Sequence, residues 1–302
     1  MVPAAARADL AGRIVRAYRG RVTSLHFRQV DVFGDRPYSG NPVAVILGAD
    51  GLTDAQMAAI SVWTNLSECT FVLEPTVPEA DYRVRIFTLS AELPFAGHPT
   101  LGTARAWLDA GGVPRDARRI VQECGIGLIE IWDDDVRLAF AAPEPLRTGD
   151  VEEEDLAGFC AVLGIERDRV VASHWVDNGP GWVGIELASA EEVLALVPDA
   201  AGHPGDWFIG VVGPHPEGAE TAVEVRAFFT SDGSGLREDP VTGSLNASLG
   251  QWLVSTGRIE APYVAAQGTA MGRRGRVHVT PADEDLWIGG ATEVCVRGTI
   301  EV

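Results

Sequence analysis

Cysteine is scarce: four in 302 residues, at 69, 124, 160 and 295. No two form a CxxC pair, so a structural zinc site has no support, and a disulfide framework is not indicated. Cys124, Cys160 and Cys295 lie in or beside apolar segments and read as buried thiols. Few thiols without a framework point to a reducing cytoplasm. Apolar runs are short: none approaches the ~18 residues that span a bilayer, and no secretory segment opens the chain. "MVPAAARADLAGRIVRAYRGR" reads instead as a helical or frayed extension, with an organelle-targeting peptide as the weaker alternative. Basic residues are also few, 24 Lys and Arg against 43 Asp and Glu, for a formal charge of −19. Such a surface repels phosphate backbones, which argues against nucleic acid as a partner.

What is present is a repeat. "YRVRIFTLSAELPFAGHPTLGTARAWL" in the first half has the same order of features as "VEVRAFFTSDGSGLREDPVTGSLNASLGQWL" in the second. Each has an alternating strand, a loop, a dipeptide ending in proline, Gly plus a hydroxyl residue, and a small-residue helix closing with Trp-Leu. In this alignment His98 matches Asp239 and Gly102 matches Gly243, both 141 positions apart. The expectation is an α+β chain of two pseudo-symmetric domains, each a curled, mostly antiparallel sheet around a central helix. Residues 1–22 form the extension, 23–145 the first domain and 146–302 the second, with the last strand returning to the first. The linker falls in "AAPEPLRTGDVEEED".

Strands are expected at Leu25–Phe33, Val43–Leu47, Thr70–Leu73, Gly127–Trp132, Val136–Ala141, Arg169–His174, Trp182–Leu187, Trp207–Val212, Val277–Thr280 and Thr292–Val302, besides the two in the repeat. Capping boxes open two helices, Thr53 with Gln56 and Ser189 with Glu192. Gly40-Asn41-Pro42 reads as a tight turn.

A helix N-terminus offers free N–H groups and partial positive charge to an anion. Either repeated turn alone is adequately explained as a helix start. Two turns facing one cleft would hold a small carboxylate between them. His98 is the one histidine in such a context. The others, at 26, 174, 203, 215 and 278, read as surface or satisfied core. In "TNLSECTFVL", Glu68 sits between a helix end and an apolar strand. Partial desolvation there would raise its pKa and suit acid/base work; a solvated loop glutamate is the plainer reading of the same residues. "GTAMGRRG" lacks the GxGxxG spacing of a nicotinamide site, so its arginines read as a solvated turn, a repeat contact or a dimer surface.

Together, "QVDVFGDRPYSGNPVAVIL", "NLSECTFV", "RIFTLSAELPFAGHPTLGTA", "REDPVTGSLNASLGQWL" and "QGTAMGRRGRVHV" resemble the PhzF-like phenazine-biosynthesis family, from about Leu25 to the C-terminus. The resemblance implies the diaminopimelate-epimerase fold and a homodimer. It also implies an isomerase that moves a proton between substrate carbons with no metal or organic cofactor, as in trans-2,3-dihydro-3-hydroxyanthranilate isomerisation. By resemblance Glu68 is the proton carrier, His98 and Asp239 assist at the substrate's polar groups, and Gly97, Gly243 and Ser244 line the site. Cys69 stands where the family usually has threonine. Two rivals stay open: an amino-acid racemase or epimerase on the same fold, and a non-catalytic ligand-binding homologue. Neither repeated turn carries a cysteine, which argues against a two-thiol racemase.

Overall fold

The computed structural model describes residues 23–230, 235–282 and 285–302. The N-terminal extension therefore lies outside the described residues, as does part of the loop in the second repeat. Among the described residues eighteen strands belong to one hydrogen-bonded system, and its pairings repeat. In the first half, β1 (Ser24–Val32), β2 (Asn41–Leu47), β3 (Cys69–Leu73), β4 (Tyr82–Phe87), β6 (Arg119–Cys124), β7 (Gly127–Asp133) and β8 (Leu138–Ala141) join in that order. Their ladders are antiparallel, parallel, antiparallel, parallel, antiparallel, antiparallel.

The second half gives the same series with β10 (Ala172–Asp177), β11 (Val183–Glu186), β12 (Phe208–Pro214), β13 (Val223–Thr230), β15 (Tyr263–Gln267), β16 (Gly275–Ala282) and β17 (Asp285–Gly290). Short hairpin strands β5 (Glu92–Leu93) and β14 (Leu236–Asp239) hang from β4 and β13. The halves join where β8 pairs with β17. β9 (Arg147–Gly149) pairs with β10, and β18 (Thr292–Glu301) runs back to pair with β1. The mixed α+β architecture expected from the sequence is the one observed.

Five helices accompany the strands among the described residues: α1 (Asp54–Thr64), α2 (Gly97–Asp109), α3 (Glu153–Leu163), α4 (Ala190–Leu194) and α5 (Gly243–Ser255). Helices α2 and α5 are the two central helices. Nine residues of each are buried, most of them small in α2 and four of them Gly, Ala or Ser in α5. Small side chains let sheet and helix approach closely: a Cβ at Gly102 would lie 2.2 Å from Val43. Both expected capping serine/threonine residues cap. Thr53 and Gln56 complete a reciprocal box, while Ser189 accepts from the Glu192 amide and the Glu192 carboxylate pairs with Arg169 instead.

Several expectations need correction. Gly40-Asn41-Pro42 is not the turn: residues 33–40 make the connection, and Asn41 and Pro42 already pair with Val32 and Asp31. The Asp31 carboxylate accepts from the Ser39 and Gly40 amides and so pins that connection. Arg167–Arg169 form a single 3-10 turn, which delays β10 to Ala172. Strands β6, β15 and β17 were missed; their alternation is interrupted by polar or small residues. Cys160 is buried, but Cys124 and Cys295 are only half-buried.

The repeat alignment is the largest correction. Between β4 and β13 the offset of 141 holds, since Ile86 pairs with Leu93 as Ala227 pairs with Asp239. The second loop then carries five extra residues, so the helices are offset by 146 and start at Gly97 and Gly243. The counterpart of His98 is Ser244, and that of Asp239 is Leu93. The ion pair Arg85–Glu92 recurs as Arg226–Glu238, which fixes this registration.

Candidate active site

Helix α1 stops where Asn65 adopts a left-handed conformation (φ 56°). Three residues later Glu68 immediately precedes β3, its carbonyl accepting from the Ala44 amide on β2. Part of its side chain is exposed (17 %), yet Oε2 itself is buried without a hydrogen-bond partner. Burial, then the charge of Asp239, holds the Glu68 carboxyl well above the usual carboxylate range.

His98 is the second residue of α2 and is buried. Its Nε2 lies 3.2 Å from Glu68 Oε2, misaligned for a hydrogen bond, and has no other partner. Burial pushes the imidazole down to about 3, so it is neutral at ordinary pH. Its Nδ1 lies 3.4 Å from Asn41 Nδ2.

Asp239 ends β14 in the opposite half. Asn41 Nδ2 donates to its Oδ1 (3.0 Å) and Thr242 Oγ1 to its Oδ2 (2.5 Å). Burial outweighs both donors and raises this carboxyl to about 6. Gln267 holds the strand behind it, donating to the Asp239 carbonyl and the Thr242 hydroxyl. Glu68, His98, Asn41 and Asp239 thus form one cluster across the junction of the halves. Asn41, Thr242 and Gln267 were not singled out from the sequence. The "GNP" and "DPVTG" stretches were the available signal, but no periodicity marks a residue that acts through a contact 198 positions away.

The two helix N-termini meet here. Neither has a side-chain cap, so their first N–H groups remain available to an anion. Gly97 and Gly243 abut: a Cβ on Gly243 would lie 3.0 Å from both Gly97 Cα and His98 N, and one on Gly97 would strike Phe140. Ser244 Oγ accepts from the Trp182 indole (3.2 Å), which leaves its own proton free to donate. Phe140 and Phe95 meet edge to face beside Gly97.

Cys69 does not face this cluster. It is buried with Phe71, Met57 and Ile46 on the other side of β3, and burial raises its thiol to about 12, too high for a thiolate. The arginine turn joins the halves: Arg274 pairs with Asp35, and Arg273 donates to the Tyr38 carbonyl. Among the described residues, no group of three His, Cys, Asp or Glu side chains is arranged to hold a metal.

Comparison with known proteins gives a consistent picture. The model of the family described as "Phenazine biosynthesis-like protein" matches residues 30–299. The chain is 33 % identical over 296 residues to antisense-enhancing sequence 1 of Schizosaccharomyces pombe, covering 92 % of this chain and 99 % of that one. It is 37 % identical over 252 residues to the trans-2,3-dihydro-3-hydroxyanthranilate isomerase of Pseudomonas fluorescens, covering 81 % and 86 %. A crystal structure of a PhzF-family phenazine biosynthesis protein from Bacillus anthracis superposes with a TM-score of 0.76 at 22 % identity, covering 92 % and 99 %.

Proposed function

The chain belongs to the phenazine biosynthesis-like family, and from that premise we propose that it is an isomerase which moves a proton between two carbons of a small conjugated carboxylate. One observation carries the reading: a buried carboxyl of raised pKa faces a neutral imidazole at 3.2 Å, and neither facing atom has a hydrogen-bond partner.

An ordinary carboxylate is a weak base toward carbon. Raising its pKa strengthens it and places both protonation states within reach near neutrality. Ionised Glu68 takes a proton from a carbon made acidic by neighbouring unsaturation; the electron pair of that C–H bond enters the conjugated system. Protonated Glu68 then returns the proton to another carbon of the same system. One residue serves both steps, because accepting the proton makes it the acid. Neutral His98 donates a hydrogen bond to the developing negative charge. Asp239 accepts from an amino or hydroxyl group, and the N–H groups of Gly97 and Gly243 with the Ser244 hydroxyl bind the substrate carboxylate. The cycle needs no metal or organic cofactor. We place the protein in the cytoplasm, as a homodimer, which sedimentation would detect.

The raised carboxyl of Asp239, contributed by the opposite half, favours one alternative: two-base epimerisation. Both readings are separated by incubating trans-2,3-dihydro-3-hydroxyanthranilate, and separately a panel of chiral amino acids, with wild type, Glu68→Gln and Asp239→Asn. Conversion of the first compound that Glu68→Gln abolishes supports the isomerase. Inversion of an amino acid, lost in Asp239→Asn and with the first compound left unconverted, would replace it with the epimerase.

A further inference from the structure

Asn41 carries no role in the chemistry above, yet it is fully buried and touches both sides of the site. Its Nδ2 lies 3.0 Å from Asp239 Oδ1, 3.0 Å from the Val241 carbonyl and 3.4 Å from His98 Nδ1. The amide orientation follows from these neighbours. Turned over, its oxygen would meet a carboxylate and a carbonyl, two acceptors against an acceptor. The N–H side therefore faces His98 Nδ1.

Both amide hydrogens are taken by Asp239 Oδ1 and the Val241 carbonyl, so at 3.4 Å a ring N–H on Nδ1 would meet a nitrogen that offers no acceptor, whereas a lone pair there meets the positive edge of the NH2 group. Asn41 can only donate from this side, so the neutral ring keeps its proton on Nε2, the nitrogen 3.2 Å from Glu68 Oε2.

The backbone that places Asn41 is tightly held. Gly40 precedes it, where any Cβ would lie 2.1 Å from the Val32 carbonyl. The Asp31 carboxylate takes the Ser39 and Gly40 amides. The Arg274 amide of the second half donates to the Ser39 carbonyl (2.7 Å). The Asn41 amide is thus fixed to both halves.

We propose that Asn41 is a positioning residue that sets His98 as its Nε2–H tautomer, so that the imidazole presents a donor, not a lone pair, to Glu68 and to the substrate. The proposal deepens the isomerase reading and rests on it for its consequence in turnover. The tautomer itself can be measured without turnover.

The experiment is NMR at neutral pH on the full chain carrying nitrogen-15-labelled histidine. His98 is assigned by the signals lost in His98→Gln. Long-range proton–nitrogen correlations then tell which ring nitrogen bears the proton. Wild type is expected to show a single Nε2–H tautomer. Asn41→Ala is expected to give a mixture, and Asn41→Asp, which keeps the volume but turns the facing group into an oxygen, to move the proton to Nδ1. Circular dichroism checks each variant's fold, and the wild-type tautomer is read whether or not the variants fold. An Nδ1–H tautomer in wild type overturns the proposal. So does an Nε2–H tautomer left unchanged in a folded variant. In turnover, Asn41→Ala is expected to lower kcat by up to about 100-fold with a smaller change in KM, as when a reacting group is misplaced by about 1 Å. A wild type with the expected tautomer but no proton transfer to any substrate would sink the isomerase reading and leave the tautomer assignment standing.

Discussion

Glu68, His98 and Asp239 make the stability of the protein depend on pH in two opposing ways. Unfolded His98 binds a proton below about pH 6.5, whereas the folded residue does so only near 3. The unfolded state thus holds more protons in that window, and stability falls as pH drops from 6.5 toward 3. Asp239 has the opposite sign. Folded, it keeps its proton up to about 6; unfolded, it loses it near 3.8, so stability falls as pH rises between those values. Glu68, also raised, adds to the same side above 4.5. Each group contributes a slope of at most ~1.4 kcal/mol per pH unit. In urea titrations, His98→Gln should flatten the acid-side loss and Asp239→Asn the loss between pH 4 and 6. Variants whose pH profiles parallel wild type would mean that these groups are solvated. Glu68 was legible as a candidate because a carboxylate abutting "CTFVL" is exceptional. Asn41 was not, since its partners are assembled only by folding.

At the scale of elements, the strand–loop–helix repeat was legible, because the order of strand, proline, glycine and Trp-Leu survives in both halves. Its registration was not, because the five extra residues of the second loop shift the helix without leaving a mark in the pattern. The shift matters chemically: it sets His98 against Ser244 and Asp239 against Leu93. Upstream of it, Phe208 rather than a carboxylate stands at the counterpart of Glu68, as the pairings of Cys69 with Phe87 and Ile209 with Phe228 show. The meeting of α2 and α5 depends on the absence of side chains. Gly243→Ala inserts a Cβ 3.0 Å from the Gly97 and His98 backbone, which should cost ~1–3 kcal/mol as overpacking, visible as a lower Tm. An unchanged Tm would mean that the helix ends have room to part.

The repeated ion pair sets similar partners in two settings, Arg85 also pairing with the exposed Asp54. Arg226 and Glu238 are 7 % and 15 % exposed, and Arg226 also donates to the Val193 and Leu196 carbonyls. Glu92, the partner of Arg85, is 41 % exposed. Removing one partner of a buried pair costs ~3–5 kcal/mol, a surface pair ~0–1. Arg226→Met should therefore destabilise far more than Arg85→Met in urea denaturation; equal effects would show that burial does not govern the pair.

Among the described residues, the two similar halves of the one strand system are joined by pairing. β8 joins β17, and β18 crosses back to β1. We propose that residues 23–145 and 146–302 are its two domains, with 292–301 completing the first. Removing 292–302 would bare the β1 edge, so the shortened chain should lose the cooperative unfolding of the first half and expose it to proteolysis. A fully cooperative, protease-resistant shortened chain would contradict that division. The same crossing explains why the site lies at the junction: Asp239 and the α5 N-terminus come from one half, Glu68, His98 and Asn41 from the other.

The most direct test of proton transfer at Glu68 is deuterium incorporation. Wild type and Glu68→Gln would be incubated in deuterated water with trans-2,3-dihydro-3-hydroxyanthranilate, and label at carbon followed by NMR. Label entering the product with wild type and absent with Glu68→Gln is the expected result. Label that enters equally with Glu68→Gln would contradict the assignment of Glu68 as the proton carrier.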